Sequence, residues 1–205
     1  MNQVTWAAQV AGKPVSIKEI DEREAALRAG NRASALPRPG TSEGRQLRRW
    51  LTQLVVAERV VGDEGLARGL SDEDAPTLDE VLPDNSARLQ IGSVAAATLG
   101  VPSARAVFAD VTAAVDVSDA EVAAYHARNP LRFAGTQTGP HGWRARPVAP
   151  SLDEVRDRIA AHLRAAARRQ AFRQWLDARC AALVQLAPGY EHPGDPRQPD
   201  NTHKH

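Results

Sequence analysis

Histidine and carboxylate side chains near the end of the chain form its most polar candidate site. His192, Asp195, His203 and His205 lie in a segment with four prolines between positions 188 and 199. Imidazole and carboxylate groups are ligands of zinc, nickel and copper, and the histidines at 203 and 205 are close enough in sequence to chelate one ion. The residue types therefore predict a divalent transition-metal site. The proline content fits equally a polar tail that holds no metal.

A second group of aromatic, histidine and arginine side chains lies within a Gly- and Pro-rich loop at 134–150 or just before it. A tryptophan in such a loop offers a large apolar surface and one hydrogen-bond donor. Together these side chains predict a surface that binds a ligand or a polypeptide client, and none of them is assigned a catalytic role. The group comprises Tyr125, His126, Phe133, His141, Trp143 and Arg144.

Other short motifs do not predict enzyme chemistry. The string from Gly40 to Gly44 has the GxSxG form, but a nucleophile elbow needs a strand before its serine and PRPG stands there instead. We interpret Ser42 as a helix cap. Cys180 is the one cysteine, so neither an internal disulfide nor a CxxC site can form, and we expect it to pack as a small hydrophobic residue. Neither a GxxxxGK(S/T) loop nor a GxGxxG motif occurs.

The charge of the chain gives no overall signal for nucleic acid. Lys and Arg number 26 and Asp and Glu number 25, for a formal net charge of +1. Four arginines on the predicted C-terminal helix could form a phosphate-binding face, but we expect a solvated face that the acidic segment at 72–84 partly neutralises. We predict no nucleic-acid partner. The four are Arg164, Arg168, Arg169 and Arg173.

Hydropathy gives no signal for a membrane. No window approaches the roughly 18 consecutive apolar residues that a membrane span needs, and the N-terminus lacks the basic region and apolar run of a signal peptide. We therefore expect a cytoplasmic protein without a membrane partner. Aromatic residues make up 4% of the chain, which favours helices with small side chains over a sheet-rich sandwich.

Periodicity and capping signals predict a mainly α-helical fold. Apolar residues three or four apart run through 151–186 and indicate a long C-terminal helix. Val4–Val10 has β-forming residues before the turn sequence AGKP, so a short strand or hairpin begins the chain. Further helices are predicted from Ser42 onward and at 78–82, 86–99 and 103–112. Capping boxes are predicted at Ser16 with Glu19, Ser118 with Glu121, and Ser151 with Glu154.

Four segments, taken in order, resemble the scaffold of the parvulin-type foldases of the SurA and PrsA kind. VAGKPVSIKEIDERE at 10–24 resembles the opening strand, turn and first helix, and 47–69 resembles the second helix. VSDAEVAAYHARNPLRF at 117–133 resembles the helix that leads into the isomerase domain, and 151–186 resembles the helix and terminal strand that return to the N-terminal segment. The resemblance implies a single SurA N-terminal-like helical domain at 1–187, with a small β element built from both ends of the chain.

The place of the isomerase domain is where the chain departs from this family. Only Ala134 to Pro150 joins the two late helices, which leaves no residues for the histidine pair and acidic or cysteine partner of a parvulin active site. The resemblance therefore implies a scaffold without prolyl isomerase activity, followed by a Pro- and His-rich tail at 188–205.

The function expected from this combination is binding. We expect a non-catalytic chaperone or assembly factor that binds a polypeptide client or partner protein, and the sequence is also compatible with a homodimer. The alternative is a small-molecule enzyme or a metal-dependent accessory protein that has reused the scaffold. In that case the loop and the tail histidines would form the site.

Overall fold

The computed structural model describes residues 5–31, 33–134 and 148–195, and within them the fold is mainly α-helical with one small antiparallel sheet. The predicted combination of helices with a small β element is confirmed. No helix in these ranges is long and apolar enough to cross a membrane. In chain order the elements are β1 (Trp6–Val10), β2 (Lys13–Ser16), α1 (Ile17–Arg28), α2 (Ser42–Arg68), α3 (Leu78–Val81), α4 (Asn85–Ile91), α5 (Ser93–Thr98), α6 (Pro102–Val111), α7 (Asp119–Arg128), α8 (Leu152–Leu183) and β3 (Val184–Leu186).

Strand β1 lies at the centre of the sheet, between β2 and β3. A two-residue turn joins β1 to β2, and its residues Ala11 and Gly12 both have positive φ angles, 48° and 79°. Such angles give the turn a twist that matches the twist of the paired strands. On its other edge β1 pairs antiparallel with β3, with Ala8 opposite Leu186. Strands from opposite ends of the described chain therefore meet in one sheet, which is the small β element that the resemblance implied.

The stretch 151–186 divides into a helix and a strand. Helix α8 ends at Leu183, and the next three residues are extended. The Leu183 carbonyl accepts a hydrogen bond from the Ala11 amide at 2.8 Å, and the Ala187 amide donates to the Ala7 carbonyl at 3.0 Å. Pairing with β1 thus supplies hydrogen bonds at the point where the helix stops.

Contacts between residues divide the described chain into two compact units. Unit 1 contains the described residues within 1–111 and 172–205, and unit 2 contains residues of the range 112–171. In unit 1 the side chains of Ile20, Leu51 and Phe172 are fully buried. The core of unit 2 is smaller and is formed by Val122, Val155 and Ile159, with partly buried neighbours packed against them.

Serine caps begin α1 and α7, but the two caps differ. At α7 both halves of the capping box form: Ser118 Oγ accepts from the Glu121 amide at 3.3 Å, and the Glu121 carboxylate accepts from the Ser118 amide at 2.8 Å. At α1 Ser16 Oγ accepts from the Glu19 amide at 3.1 Å, whereas the Glu19 carboxylate accepts from Arg59 of α2 at 2.6 Å. The sequence predicted that the Glu19 carboxylate would complete a capping box at the start of α1. It forms an ion pair with Arg59 of α2 instead.

Helix α2 begins at Ser42 as predicted, but one predicted cap and one predicted helix were wrong. Thr41, not Ser42, caps α2: its backbone is extended, with φ −79° and ψ 167°, and its hydroxyl accepts from the Gly44 amide at 3.1 Å. The helix predicted at 86–99 is two helices, because Gly92 has φ 89° and ψ 153° and interrupts the helical backbone. A glycine adopts this conformation at little cost, since it has no Cβ.

A partly buried ion-pair network ties α1 to α2. Glu24 is 8% exposed and accepts from Arg28 Nε at 2.8 Å and from Arg48 at 3.1 Å. Arg48 also pairs with Asp21 at 2.7 Å and hydrogen-bonds to Tyr190. Burial lowers the pKa of Arg48, but the bonds to Tyr190 and Asp21 raise it by more, so its pKa lies above the ordinary arginine value. Loss of Glu24 would remove the carboxylate that Arg28 and Arg48 share and should therefore weaken the contact between α1 and α2.

Leu51→Ala should lower the free energy of unfolding by about 2–5 kcal/mol, because a fully buried leucine leaves a cavity when it is truncated. Leu89→Ala is the matched control, since Leu89 on α4 is 83% exposed. This control should change the free energy of unfolding by less than about 0.5 kcal/mol. Urea unfolding followed by circular dichroism measures both values. Equal effects would contradict the assignment of the core.

The hydrogen bonds that the carboxylates of Glu121 and Glu154 accept at the starts of α7 and α8 should weaken in acid. Hydrogen bonds from Ser118, side chain first and backbone second, hold the pKa of Glu121 below the ordinary glutamate value, and Ser151 acts in the same way on Glu154. A folded-state pKa below the unfolded one means that the stabilisation is present above the unfolded pKa and is lost as the pH falls through the folded pKa.

Titration of the side-chain carboxyl groups by NMR checks this effect. Ser118→Ala should raise the Glu121 pKa toward the ordinary value, because the hydroxyl bond to the carboxylate is lost. The pKa of Glu154 serves as the internal control and should not change. A Glu121 pKa that is the same in the variant and the original chain would argue against the cap as the cause.

Candidate functional site

A cleft of about 530 Å³ opens on unit 1 between α2, the α4–α5 junction and the C-terminal part of α8. Its apolar lining comes from Ala57 of α2, from Ile91 and Val94 at the junction, and from Leu176 of α8. The segment after β3 adds His192 to the rim. Because separate parts of the chain supply these walls, the cleft exists only in the folded protein. Its volume falls in the range of about 300–1,000 Å³ that is typical of ligand pockets.

The bend at Gly92 shapes one wall of this cleft. It ends α4 and starts α5 in a new direction, so that Ser93 and Val94 both line the cleft. Trp50 of α2 donates its indole N–H to Ser93 Oγ at 3.0 Å and ties α5 to α2. The indole is partly buried against the core of unit 1, in line with the packing role that buried tryptophans usually have.

Polar groups of α2 and α8 complete the cleft. Gln53 is one of the lining residues, and its Nε2 atom is buried without a hydrogen-bond partner. A buried N–H group that makes no hydrogen bond costs about 1–3 kcal/mol. At the exposed rim, Arg173 and Asp177 form an ion pair at 3.7 Å, one turn apart on α8. The cleft thus combines an unsatisfied donor with a charge-neutral rim pair.

Cys180 also lines the cleft, on the same helix. Burial, and to a smaller extent the negative charge of Asp177, raises the pKa of the Cys180 thiol to about 11. The thiolate is the nucleophilic form of cysteine, so this environment keeps the sulfur protonated at neutral pH. Cys180 therefore contributes apolar surface to the cleft, consistent with its expected packing as a small hydrophobic residue.

Tyr125 and Phe133, two residues of the predicted ligand-binding group, lie in unit 2 and pack with His162. The ring centroids are 5.6 Å apart for Tyr125 and His162, 6.0 Å for Phe133 and His162, and 6.4 Å for Tyr125 and Phe133. The guanidinium of Arg158 lies 5.1 Å from the Phe133 centroid, which is cation–π distance. The rings pack against the core of unit 2, so part of their surface serves the packing of that unit.

His126 holds the chain at the start of α8. Its Nε2 atom lies 2.9 Å from the carbonyl oxygen of Pro150. A carbonyl oxygen only accepts, so Nε2 carries the hydrogen in this bond. The contact ties α7 to the residue that precedes the Ser151 cap, and this is the role the structure shows for His126.

The remaining loop candidates cannot be placed. His141, Trp143 and Arg144 lie outside the described residues, as do His203 and His205 of the predicted metal site. Their roles in ligand or metal binding stay predictions from sequence.

The described half of the predicted metal site forms a turn. The Gly194 amide donates to His192 Nδ1 at 3.0 Å, and the Asp195 amide donates to the His192 carbonyl at 2.9 Å. One ring nitrogen of His192 is therefore used within the turn. Across 5–31, 33–134 and 148–195, no group of three or more His, Cys, Asp or Glu side chains is arranged to hold a metal ion.

The arginine-rich face of α8 carries carboxylate partners. Arg164 Nε donates to Asp116 at 2.9 Å, and Arg173 belongs to the ion pair at the cleft rim. Arg169 is only 6% exposed. Asp116 is not part of the acidic segment at 72–84. A carboxylate of unit 2 therefore neutralises Arg164, and not the segment that was expected to do so.

A second depression, of about 460 Å³, lies between α1 and α2 in unit 1. Four of its five charged lining residues pair with each other, Arg59 with Glu19 and Arg23 with Glu58, both at 2.6 Å, and the fifth, Glu22, pairs with Lys18. The hydrogen-bonding groups of these pairs are already engaged. This depression is therefore better explained as a contact between two helices than as a binding site.

Sequence reasoning missed the main residues of the cleft. Gln53, Ile91, Val94 and Leu176 are ordinary residues of amphipathic helices, and nothing in their spacing marks them as a site. Gly92 was the available signal, because a glycine inside a short apolar helix predicts a break and a change of direction.

Comparison with known proteins gives a partial family match. Residues 6–43 match a family of unknown function, DUF7158. The matched stretch covers β1, β2, α1 and the beginning of α2. Comparisons with curated proteins and with solved structures give no match.

Alkylation of Cys180 by iodoacetamide should be slow at neutral pH and should accelerate as the pH rises toward about 11. A shift from the ordinary value of 9.0 to about 11 leaves on the order of a hundredfold less thiolate. The unfolded chain in denaturant is the control and should react faster at neutral pH. Mass spectrometry measures both rates, and similar rates in the two states would contradict the buried, neutral thiol.

Proposed function

We propose that this protein is a non-catalytic chaperone or assembly factor that binds a polypeptide client on a SurA-like helical scaffold. The observation that carries the proposal is the cleft on unit 1, whose apolar side chains come from four helices, α2, α4, α5 and α8. Apolar surface inside a cleft is stabilised when a ligand removes it from water. Recognition of this kind needs little fixed chemistry, which suits a protein that binds chain segments.

The order of the elements supports the scaffold part of the proposal. The hairpin β1–β2 with α1, then α2, α7, α8 and β3 follow in the order in which the corresponding sequence segments resemble the foldase scaffold. In unit 1 the pairing of β3 with β1 returns the end of the chain to its beginning. The stretch 134–150 connects the late helices in place of an isomerase domain, which supports a binding function without isomerase activity.

The chemistry of the cleft also favours binding over covalent catalysis. Cys180, one of the nucleophile-type residues in its lining, is held in the neutral form by burial, and the hydroxyl oxygen of the other, Ser93, accepts a hydrogen bond from Trp50. Gln53 offers hydrogen-bond donors of the type that peptide carbonyl groups accept. A polypeptide segment carries both apolar side chains and carbonyl acceptors, so it matches both properties of the cleft.

Suppression of aggregation tests the proposed function. The protein should slow the rise in light scattering of reduced insulin, because exposed apolar segments of this client would be held in the cleft. Val94→Asp should weaken the effect at least about tenfold in the protein concentration required, since burial of a client against a carboxylate is costly. Val101→Asp is the matched control: Val101 is 50% exposed in the same unit and does not line the cleft.

Circular dichroism must show that both variants keep the helical content of the original chain. Failure of the original chain to slow aggregation, together with failure to retain any polypeptide in pull-down experiments, would contradict the proposed function. Equal loss of protection in Val94→Asp and Val101→Asp would exclude the cleft as the binding surface.

A further inference from the structure

The unpaired amide of Gln53 indicates what kind of ligand the cleft takes. Its Nε2 atom is buried and lacks a partner, while the residue itself lines the cleft. The terminal torsion of a glutamine side chain is soft, so a small rotation can turn an N–H bond toward the cleft. A ligand oxygen placed there would satisfy a donor that the free protein leaves unsatisfied.

The charges at the rim of the cleft further limit the kinds of ligand that the cleft can bind. Arg173 and Asp177 neutralise each other in an ion pair at 3.7 Å. A phosphate or carboxylate ligand would have to compete with Asp177 for Arg173, and a cationic ligand would have to compete with Arg173 for Asp177. The cleft is therefore electrostatically matched to an occupant without net charge, and the acceptor that meets Gln53 is best supplied by a neutral carbonyl oxygen.

The apolar residues of the cleft favour an aliphatic side chain in the ligand, next to the carbonyl group that accepts from Gln53. The aliphatic lining residues are Ile91, Val94 and Leu176, of which Val94 is the most exposed, and Ala57 adds a small apolar side chain. The volume of about 530 Å³ is large enough for an aliphatic side chain together with the main-chain atoms on either side of it.

We infer that the cleft binds an uncharged, extended polypeptide segment, with an aliphatic side chain against Ile91, Val94 and Leu176 and a main-chain carbonyl that accepts from Gln53 Nε2. This inference rests on the proposed function and adds the chemical class of the client segment and the residue that recognises its backbone. Gln53 binds the main chain and so accepts many sequences, whereas the aliphatic contacts favour leucine, isoleucine or valine.

NMR titration with N-acetyl-leucine N′-methylamide tests the inference on the full chain. This neutral probe carries one aliphatic side chain and two amide carbonyls. Saturable shifts should appear at the Gln53 carboxamide and at the methyl groups of Ile91, Val94 and Leu176. N-acetyl-leucine, which differs in its terminal carboxylate, should bind more weakly. Absence of shifts at the cleft up to the solubility limit of the probe, or tighter binding of the charged analogue, would overturn the inference.

Gln53→Met separates hydrogen bonding from packing. Methionine keeps the length of the side chain but cannot donate, so affinity for the probe should fall about fivefold to tenfold. The temperature of unfolding should stay the same or rise, because the variant also removes an unsatisfied buried donor. Gln174→Met is the matched control, an exposed glutamine of α8 outside the cleft, and should leave affinity unchanged. Equal affinity of Gln53→Met and the original chain would refute the role of the Gln53 donor.

These experiments distinguish a failure of the chaperone function from a failure of the ligand chemistry inferred for the cleft. If the original chain slows aggregation and Gln53→Met and Val94→Asp do so equally well, the protein binds clients elsewhere and the inference about the cleft is wrong. If the probe binds in the cleft as expected but no client is protected or retained, the ligand chemistry of the cleft holds and the proposed chaperone function fails.

Discussion

The fold of unit 1 depends on the position of β1 at the centre of the sheet. Ala7 and Ala8 are fully buried, and both edges of the strand are paired. One partner, β2, follows β1 immediately, whereas β3 comes from the far end of the chain. Since unpaired backbone groups are costly when buried, β1 requires this distant strand. Closure of a loop of such length carries a large entropic cost, which the burial of the surrounding core must offset.

Return of the chain to β1 also determines where the residues after β3 lie. The Gly189 carbonyl accepts from Arg49 of α2 at 3.2 Å, and Arg49 is itself only 5% exposed. Tyr190 hydrogen-bonds to Arg48, the residue that joins the Glu24 network. These contacts hold the segment against α2, and His192 then reaches the rim of the cleft. The position of His192 at the cleft thus follows from the same long-range pairing that completes the sheet.

Helix α2 links the core of unit 1 to its cleft. One face buries Leu51 in the core, while Gln53, two residues further on, lines the cleft. Glu64 on the same helix accepts from Arg179 of α8 and from Arg68, both at 2.6 Å. The side chain of Glu64 is 10% exposed, so these bonds are better shielded than surface ion pairs. The bond from Arg179 ties α2 to α8, and both helices contribute residues to the lining of the cleft.

The sequence by itself determined the features that depend on neighbouring residues. The Ser118–Glu121 cap, the turn at Ala11 and Gly12 and the long amphipathic helix follow from contacts between residues within a few positions, so local patterns predict them. Only the tertiary structure decided which carboxylate pairs with Arg59 and which residues of α5 and α8 line the cleft together with Gln53. These outcomes depend on packing between segments that are far apart in the chain, and sequence spacing carries no information about such distances.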